Sequence, residues 1–200
     1  MFGFLAIIVV SYLIGSIPSG YLAGRIAGVD IRKQGSGNIG ATNVTRSLGK
    51  RYGYPVFLAD LGKGLSAILL APILAPAVVQ SYPPDVAQIV AGVFVVVGNA
   101  FPVWLRFRGG KGVATSAGLL FGLIPAAAVA VTLIWVIIFY TLRYVSLASI
   151  LAALALPLAV LAANHFAGVS RPLVLYVSIG LAAIVILRHR SNLEIGRAHV

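Results

Sequence analysis

Two hundred residues that are 60 % hydrophobic and only 10 % charged exclude an ordinary soluble domain, which carries about 25 % charged residues. Fifteen Lys and Arg against four Asp and Glu leave a formal charge of +11, so the sparse polar surface suits anionic ligands. The absence of cysteine removes disulfides, thiolate metal sites and a cysteine nucleophile.

Uncharged runs cover residues 2–24, 64–80, 86–105, 113–142, 145–164 and 172–187. Most approach the roughly 20 residues a spanning helix needs, and none shows the alternation of a barrel strand. The fold class is therefore all-α, a polytopic integral membrane protein. Residues 113–142 are too long for one span, because thirty residues rise roughly 45 Å against a hydrocarbon core of about 30 Å. Pro125 divides them into two short helices meeting at residues 122–125, which makes seven spans. With the N-terminus outside and the C-terminus cytoplasmic, Arg171 is the one cation assigned outside within residues 1–193, as the positive-inside rule requires. The first run lacks a basic leader and is retained as helix one.

Ser16, Gly20, Gly24 and Gly28 recur every fourth residue along and just beyond that helix, a spacing that favours close helix packing. The next segment, Gly35-Ser-Gly-Asn-Ile-Gly-Ala-Thr-Asn-Val-Thr-Arg46, is built to hold an anion. Gly35 and Gly37 free the backbone, Ser36, Asn38, Thr42 and Asn43 add donors, and Arg46 supplies a bidentate fork. It matches G-x-G-x-x-G, but no strand precedes it and no strand–helix–strand unit follows, which argues against a dinucleotide site. Asp60 and Lys63, three apart where helix two begins, make a local structural ion pair near the membrane surface.

Arg106-Phe-Arg108-Gly-Gly-Lys111-Gly-Val-Ala-Thr115 resembles a phosphate loop but lacks its first glycine. Gly109, Gly110 and Gly112 nevertheless place backbone donors and the Lys111 ammonium at a helix start, with Thr115 inside it. Ser146 either caps a helix or meets a ligand. His189 and Asn192 can hydrogen-bond a ligand, and the histidine can donate a proton or satisfy helix-end carbonyls. Asp30 and Asp60 are the only carboxylates on this face, so neither a metal cage nor an acid–base pair is available. Cationic donors at a membrane surface fit phosphate-bearing substrates, one of them a lipid.

Residues 1–193 read as a single membrane domain. Glu194-Ile-Gly-Arg-Ala-His-Val200 matches the translation of a common sequencing-library adapter and is set apart as a non-native tail.

These motifs, with Gly15-Ser-Ile-Pro-Ser-Gly-Tyr21, Asp60-Leu-Gly-Lys-Gly64, Phe101-Pro102, Arg143-Tyr-Val-Ser146 and Arg188-His-Arg-Ser-Asn192, resemble in order the bacterial acyl-phosphate-dependent glycerol-3-phosphate acyltransferases, the PlsY family. The resemblance implies a bacterial inner-membrane enzyme facing the cytoplasm, which moves a fatty acyl group from acyl phosphate to glycerol 3-phosphate and yields lysophosphatidic acid and phosphate. It implies no cofactor, no metal and no nucleic-acid partner, and leaves open whether a soluble acyl-phosphate synthase hands over the donor directly. It places Ser36, Arg46, Lys111, Ser146, His189 and Asn192 around glycerol 3-phosphate, with Ser36, Arg46 and Lys111 as the catalytic set. The glycine loops then hold the acyl phosphate. This chain reads Gly98-Asn99-Ala-Phe-Pro102 where the family usually has Gly-His-x-Phe-Pro, so no role for that histidine carries over, and the family's basic tail after Asn192 is missing. An anion transporter or channel is the competing class, and a non-catalytic anchor the third.

Overall fold

The computed structural model describes residues 2–83 and 85–197, with side chains except those of Ala77 and residues 190–197. Ten α-helices and two short 3-10 turns appear, and no strand is present among the described residues. Two compact units divide at residue 123.

The first unit opens with α1 (Phe2–Ser16) and α2 (Ser19–Ile26), a single apolar stretch broken at Ile17–Pro18. The break follows from Pro18, which has no N–H for the Ile14 carbonyl. A polar loop with a 3-10 turn (Ile31–Lys33) leads to α3 (Ala41–Leu48) and then to α4 (Lys50–Leu74). The sequence places the start of helix two near Asp60, but α4 begins ten residues earlier and carries Pro55 and Pro72 inside it. Asp60 and Lys63 therefore lie in mid-helix, buried in the protein. After α5 (Pro76–Ser81) come α6 (Asp85–Ala100), a 3-10 turn (Val103–Leu105) and α7 (Val113–Leu123).

Small residues set the packing of this unit. A methyl on Gly64 of α4 would lie 2.0 Å from the Thr115 carbonyl of α7, and one on Gly118 of α7 would lie 1.9 Å from the Leu61 carbonyl. The α4–α7 pair is therefore in backbone contact. The α1–α6 pair meets in the same way through Gly15 and Gly98.

The second unit contains α8 (Pro125–Leu142), α9 (Val145–Phe166) and α10 (Pro172–Arg197). Ala153 of α9 packs with Ala182 and Val185 of α10. Trp135 of α8 donates its indole N–H to the Ser149 hydroxyl of α9 at 3.1 Å, and that hydroxyl donates to the Val145 carbonyl.

Among the described residues, six helical stretches, with α1 and α2 counted together, are long and apolar enough to cross a membrane, and α7 is a shorter apolar seventh. The division at Pro125 occurs where the sequence places it: Ile124 is the non-helical N-cap and Pro125 opens α8, where its missing N–H is harmless. The two parts differ in length, however. The 18 residues of α8 rise about 27 Å, whereas the 11 of α7 rise only about 16 Å. The α7 helix starts at Val113, where the uncharged run begins, so the break before Pro125 leaves it only these 11 residues. The non-native tail assigned to residues 194–200 falls where no side chain is described, and residues 198–200 lie outside the described residues.

Candidate active site

The first polar loop is held together from within. Asp30 Oδ1 accepts the backbone N–H of Arg32, and its carboxylate pairs with the Arg32 guanidinium at 2.8 Å. That bond holds the Asp30 carboxyl down at about 2. The guanidinium lies over the Tyr21 ring, 4.8 Å from its centre, which ties the loop to α2. Gly35 and Gly37 take left-handed backbone angles with φ of 53° and 69°, as their selection as turn residues requires.

Asn43 is the organiser of this loop. It is 3 % exposed and points back from the first turn of α3. Its Oδ1 accepts the Ser36 N–H at 2.9 Å, and its Nδ2 donates to the carbonyls of Asn38 at 2.8 Å and Gln34 at 2.9 Å. Asn38 Oδ1 accepts the Gly40 N–H at 2.8 Å, closing the turn before α3. Both asparagines read as ligand donors in the sequence are thus engaged in shaping the loop. Thr42 and Arg46, four residues apart on α3, are exposed on one face, and Ser36 is exposed in the loop. These three, rather than the asparagines, present side chains outward.

The small-residue stripe of helix one serves this loop. A methyl on Gly20 would lie 1.7 Å from the Ile39 carbonyl and one on Gly24 3.1 Å from the Ile31 side chain, so α2 is the floor beneath the loop. Ser16 instead faces the α1–α6 crossing near Gly98, and Gly28 turns the chain with φ of 76°.

The second polar loop is closed by backbone. Gly110 N–H donates to the Asn99 carbonyl at 3.0 Å and Gly109 N–H to the Ala100 carbonyl at 3.1 Å, forming a neck. Beyond the neck, Phe107 N–H reaches the Pro102 carbonyl, and Arg106 and Phe107 are both left-handed. These amides, which the sequence offers to an anion, are therefore bonded inside the protein. Lys111 follows the neck, half-buried, and Gly112, with φ of 76°, turns the chain into α7. Asn99, at the position of the family histidine, is buried with its amide oxygen facing Gly110. Thr115 is fully buried and its hydroxyl has no partner among the described residues.

Between the loops runs α4. Lys63 donates to Asp60 Oδ1 at 2.6 Å and to the Ile17 carbonyl at 2.5 Å, so the pair read as local also reaches a second element. Gly64 meets Thr115, and Gly53 meets Thr45 of α3. One helix thus supports α3 on one stretch and the start of α7 on another.

In the second unit, Ser146 is the second residue of α9, whose N-cap is Tyr144, so it does not cap the helix. His189 is 3 % exposed, and its Nδ1 donates to the Val185 carbonyl one turn back at 2.7 Å. The carbonyl lies in mid-helix because α10 continues to Arg197. The side chain of Asn192 lies outside those described.

Against known proteins, residues 5–198 match the family model described as glycerol-3-phosphate acyltransferase. The chain belongs to that family. A glycerol-3-phosphate acyltransferase of Prochlorococcus marinus (strain NATL2A) is 45 % identical over 190 residues, covering 94 % of this chain and 92 % of that protein. One from Aquifex aeolicus (strain VF5) is 41 % identical over 199 residues, covering 98 % and 97 %. The crystal structure of PlsY (YgiH), an integral membrane glycerol 3-phosphate acyltransferase in its glycerol 3-phosphate form, superposes with a TM-score of 0.83 at 41 % identity. That match covers 96 % of this chain and 90 % of the solved one, and the same protein's lysophosphatidic acid form gives 0.81 at 40 % identity. The fold assignment of the family's integral membrane enzymes therefore applies to this chain over nearly its whole length.

Proposed function

We propose that this protein transfers a fatty acyl group from acyl phosphate to glycerol 3-phosphate, releasing lysophosphatidic acid and inorganic phosphate. The glycerol C1 oxygen attacks the carbonyl carbon of the mixed anhydride, the bond from that carbon to the phosphate oxygen breaks, and phosphate leaves. The hydroxyl proton passes to a substrate phosphate.

The observation that carries this reading is the state of the carboxylates. Asp30 is paired with Arg32 and Asp60 with Lys63. Asp85 opens α6, about 21 Å along the helix from Asn99. Among the described residues, no unpaired carboxylate stands beside either polar loop to act as general base. An already activated anhydride needs none: positioning and charge stabilisation suffice, with Ser36, Arg46 and Lys111 in those roles. Within the first unit, glycerol 3-phosphate is assigned to Ser36, Arg46 and Lys111, and the acyl phosphate to donors of the glycine loops other than the Gly109 and Gly110 amides. Charge asymmetry supports a cytoplasmic site in the bacterial inner membrane, with the N-terminus outside.

The test is formation of lysophosphatidic acid and phosphate by purified protein given palmitoyl phosphate and glycerol 3-phosphate. Lys111→Ala is expected to lower the rate by about 100-fold or more. Silence from the parent chain, with anion flux across liposomes, would overturn the assignment in favour of transport. An acyl-enzyme trapped by hydroxylamine on Ser36 or Thr42 would overturn the direct attack.

A further inference from the structure

A helix broken inside an apolar stack exposes carbonyls that need donors, since an unbonded polar group away from water is costly. Here α1 stops at Ser16 and α2 starts at Ser19. The Ile17 carbonyl between them accepts the Ser19 N–H at 3.0 Å and Lys63 Nζ at 2.5 Å. The same ammonium donates to Asp60 Oδ1 at 2.6 Å, and the two side-chain-bearing residues are 6 % and 8 % exposed. An ion pair three residues apart on one helix requires nothing from elsewhere. This one reaches back 46 residues in the chain.

What lies at the other end of that contact gives it a purpose. The Ile17 carbonyl marks the start of α2, and α2 is the floor of the first polar loop, with Gly20 against the Ile39 carbonyl and Gly24 against Ile31. On the α4 side, the neighbouring Gly64 abuts Thr115 at the start of α7. A displacement of α2 relative to α4 would therefore move the Ser36–Gly40 turn relative to the Lys111 segment.

We infer that Asp60 and Lys63 are positioning residues for acyl transfer: the ammonium, neutralised by Asp60, clamps the α1–α2 break to α4 and so keeps residues 34–40 in register. Asp60 supplies the counter-charge without which an ammonium buried at mid-helix is unfavourable. The kinetic part of this inference rests on the proposed function, whereas the conformational part does not.

The absence of cysteine allows a direct readout, because a single Gln34→Cys on the exposed side of the loop can carry a nitroxide spin label. In the full-length protein in detergent, Lys63→Met is expected to sharpen the label's lines, reporting a looser loop. It should also raise KM for glycerol 3-phosphate by about tenfold or more while moving KM for palmitoyl phosphate less. Asp60→Asn, which keeps an acceptor for Lys63 but removes its counter-charge, should shift both properties in the same direction by less than Lys63→Met does. Where Lys63→Met does not fold, Pro18→Ala decides: it restores a helical donor at residue 18, favours folding, and is expected to straighten the break, shift the spectrum and raise the same KM. An unchanged spectrum in a folded Lys63→Met or Pro18→Ala protein would overturn the clamp. So would a uniform loss of kcat and both KM values that tracks thermal stability alone. A parent chain without acyl transfer would defeat the proposed function and leave the spectral result to decide the clamp.

Discussion

The two polar loops of the first unit look alike in sequence, each rich in glycine and bearing cations, yet they are stabilised by opposite means. Residues 34–43 are organised by a side chain: one carboxamide, Asn43, bonds to Ser36, Asn38 and Gln34. Residues 99–110 are organised by main chain: two N–H···O bonds form a neck that the glycines make narrow enough to close. The contrast separates two reasons for a glycine-rich polar segment. In the first loop the sensitive element is a donor–acceptor pattern, and in the second it is an empty volume.

Filling that volume should have the larger effect. A methyl at Gly109 would lie 2.1 Å from the Asn99 carbonyl and 2.3 Å from the Pro102 ring, neither of which is the end of a flexible side chain. Gly109→Ala is expected to open the neck at a local cost of about 3 kcal/mol, and to lower acyl transfer by roughly 100-fold. Thermal unfolding and steady-state rates would show it. A variant with parental activity would mean that the neck does not place Lys111.

Removing the carboxamide comes next. Asn43→Ala strands the Ser36 N–H and two carbonyls at about 1–3 kcal/mol for each group that stays buried, moderated where water enters an exposed loop. Asn43→Asp should be no better, because it keeps the acceptor but turns a carboxylate toward carbonyls. Comparing hydrogen exchange of the Ser36 amide in the two variants would separate these effects. If Asn43→Asp restored protection and activity, the donor half of the pattern would be dispensable.

The smallest effect is expected at Asp30. Its carboxyl titrates at about 2 beside Arg32, below the ordinary value of about 4. A depressed folded value contributes stability that is present above pH 4 or so and is lost as the pH falls toward 2. Asp30→Asn should therefore flatten the melting-temperature profile slightly in that window and leave it unaltered near neutrality apart from a small constant offset. The pair is solvent-exposed, so the change is small and diminishes in salt.

Much of this molecule is legible in the sequence because membrane spans are local objects. An apolar run of sufficient length is a helix wherever it sits, and Pro125 divides residues 113–142 by removing a donor from its own backbone. The two polar loops stand out for the converse reason, since charge and glycine are scarce elsewhere. What escapes such reading is the direction a polar side chain takes. Asn38, Asn43, Thr42 and Arg46 look equivalent as donors in a string of letters, but Asn43 is buried and bonded to its own loop while Thr42 and Arg46 face outward. The one hint lay in the turn-forming habit of asparagine beside glycine. Of the two readings of Ser146, the cap falls, because the helix starts at Val145 with Tyr144 as its N-cap.

By itself, then, the sequence determined an all-helical membrane protein, the break at Pro125, the place of both glycine-rich polar segments and the family to which the chain is similar. These follow from composition, run length and the order of motifs, all of which are properties of the chain read in one dimension. Tertiary structure alone decided which donors are consumed within the loops, that Asp60 and Lys63 lie in mid-helix, and that Lys63 bonds the Ile17 carbonyl as well as Asp60. Those outcomes depend on which backbone approaches which, and an approach such as that of Gly64 to Thr115 or Gly20 to Ile39 joins positions that no local periodicity connects.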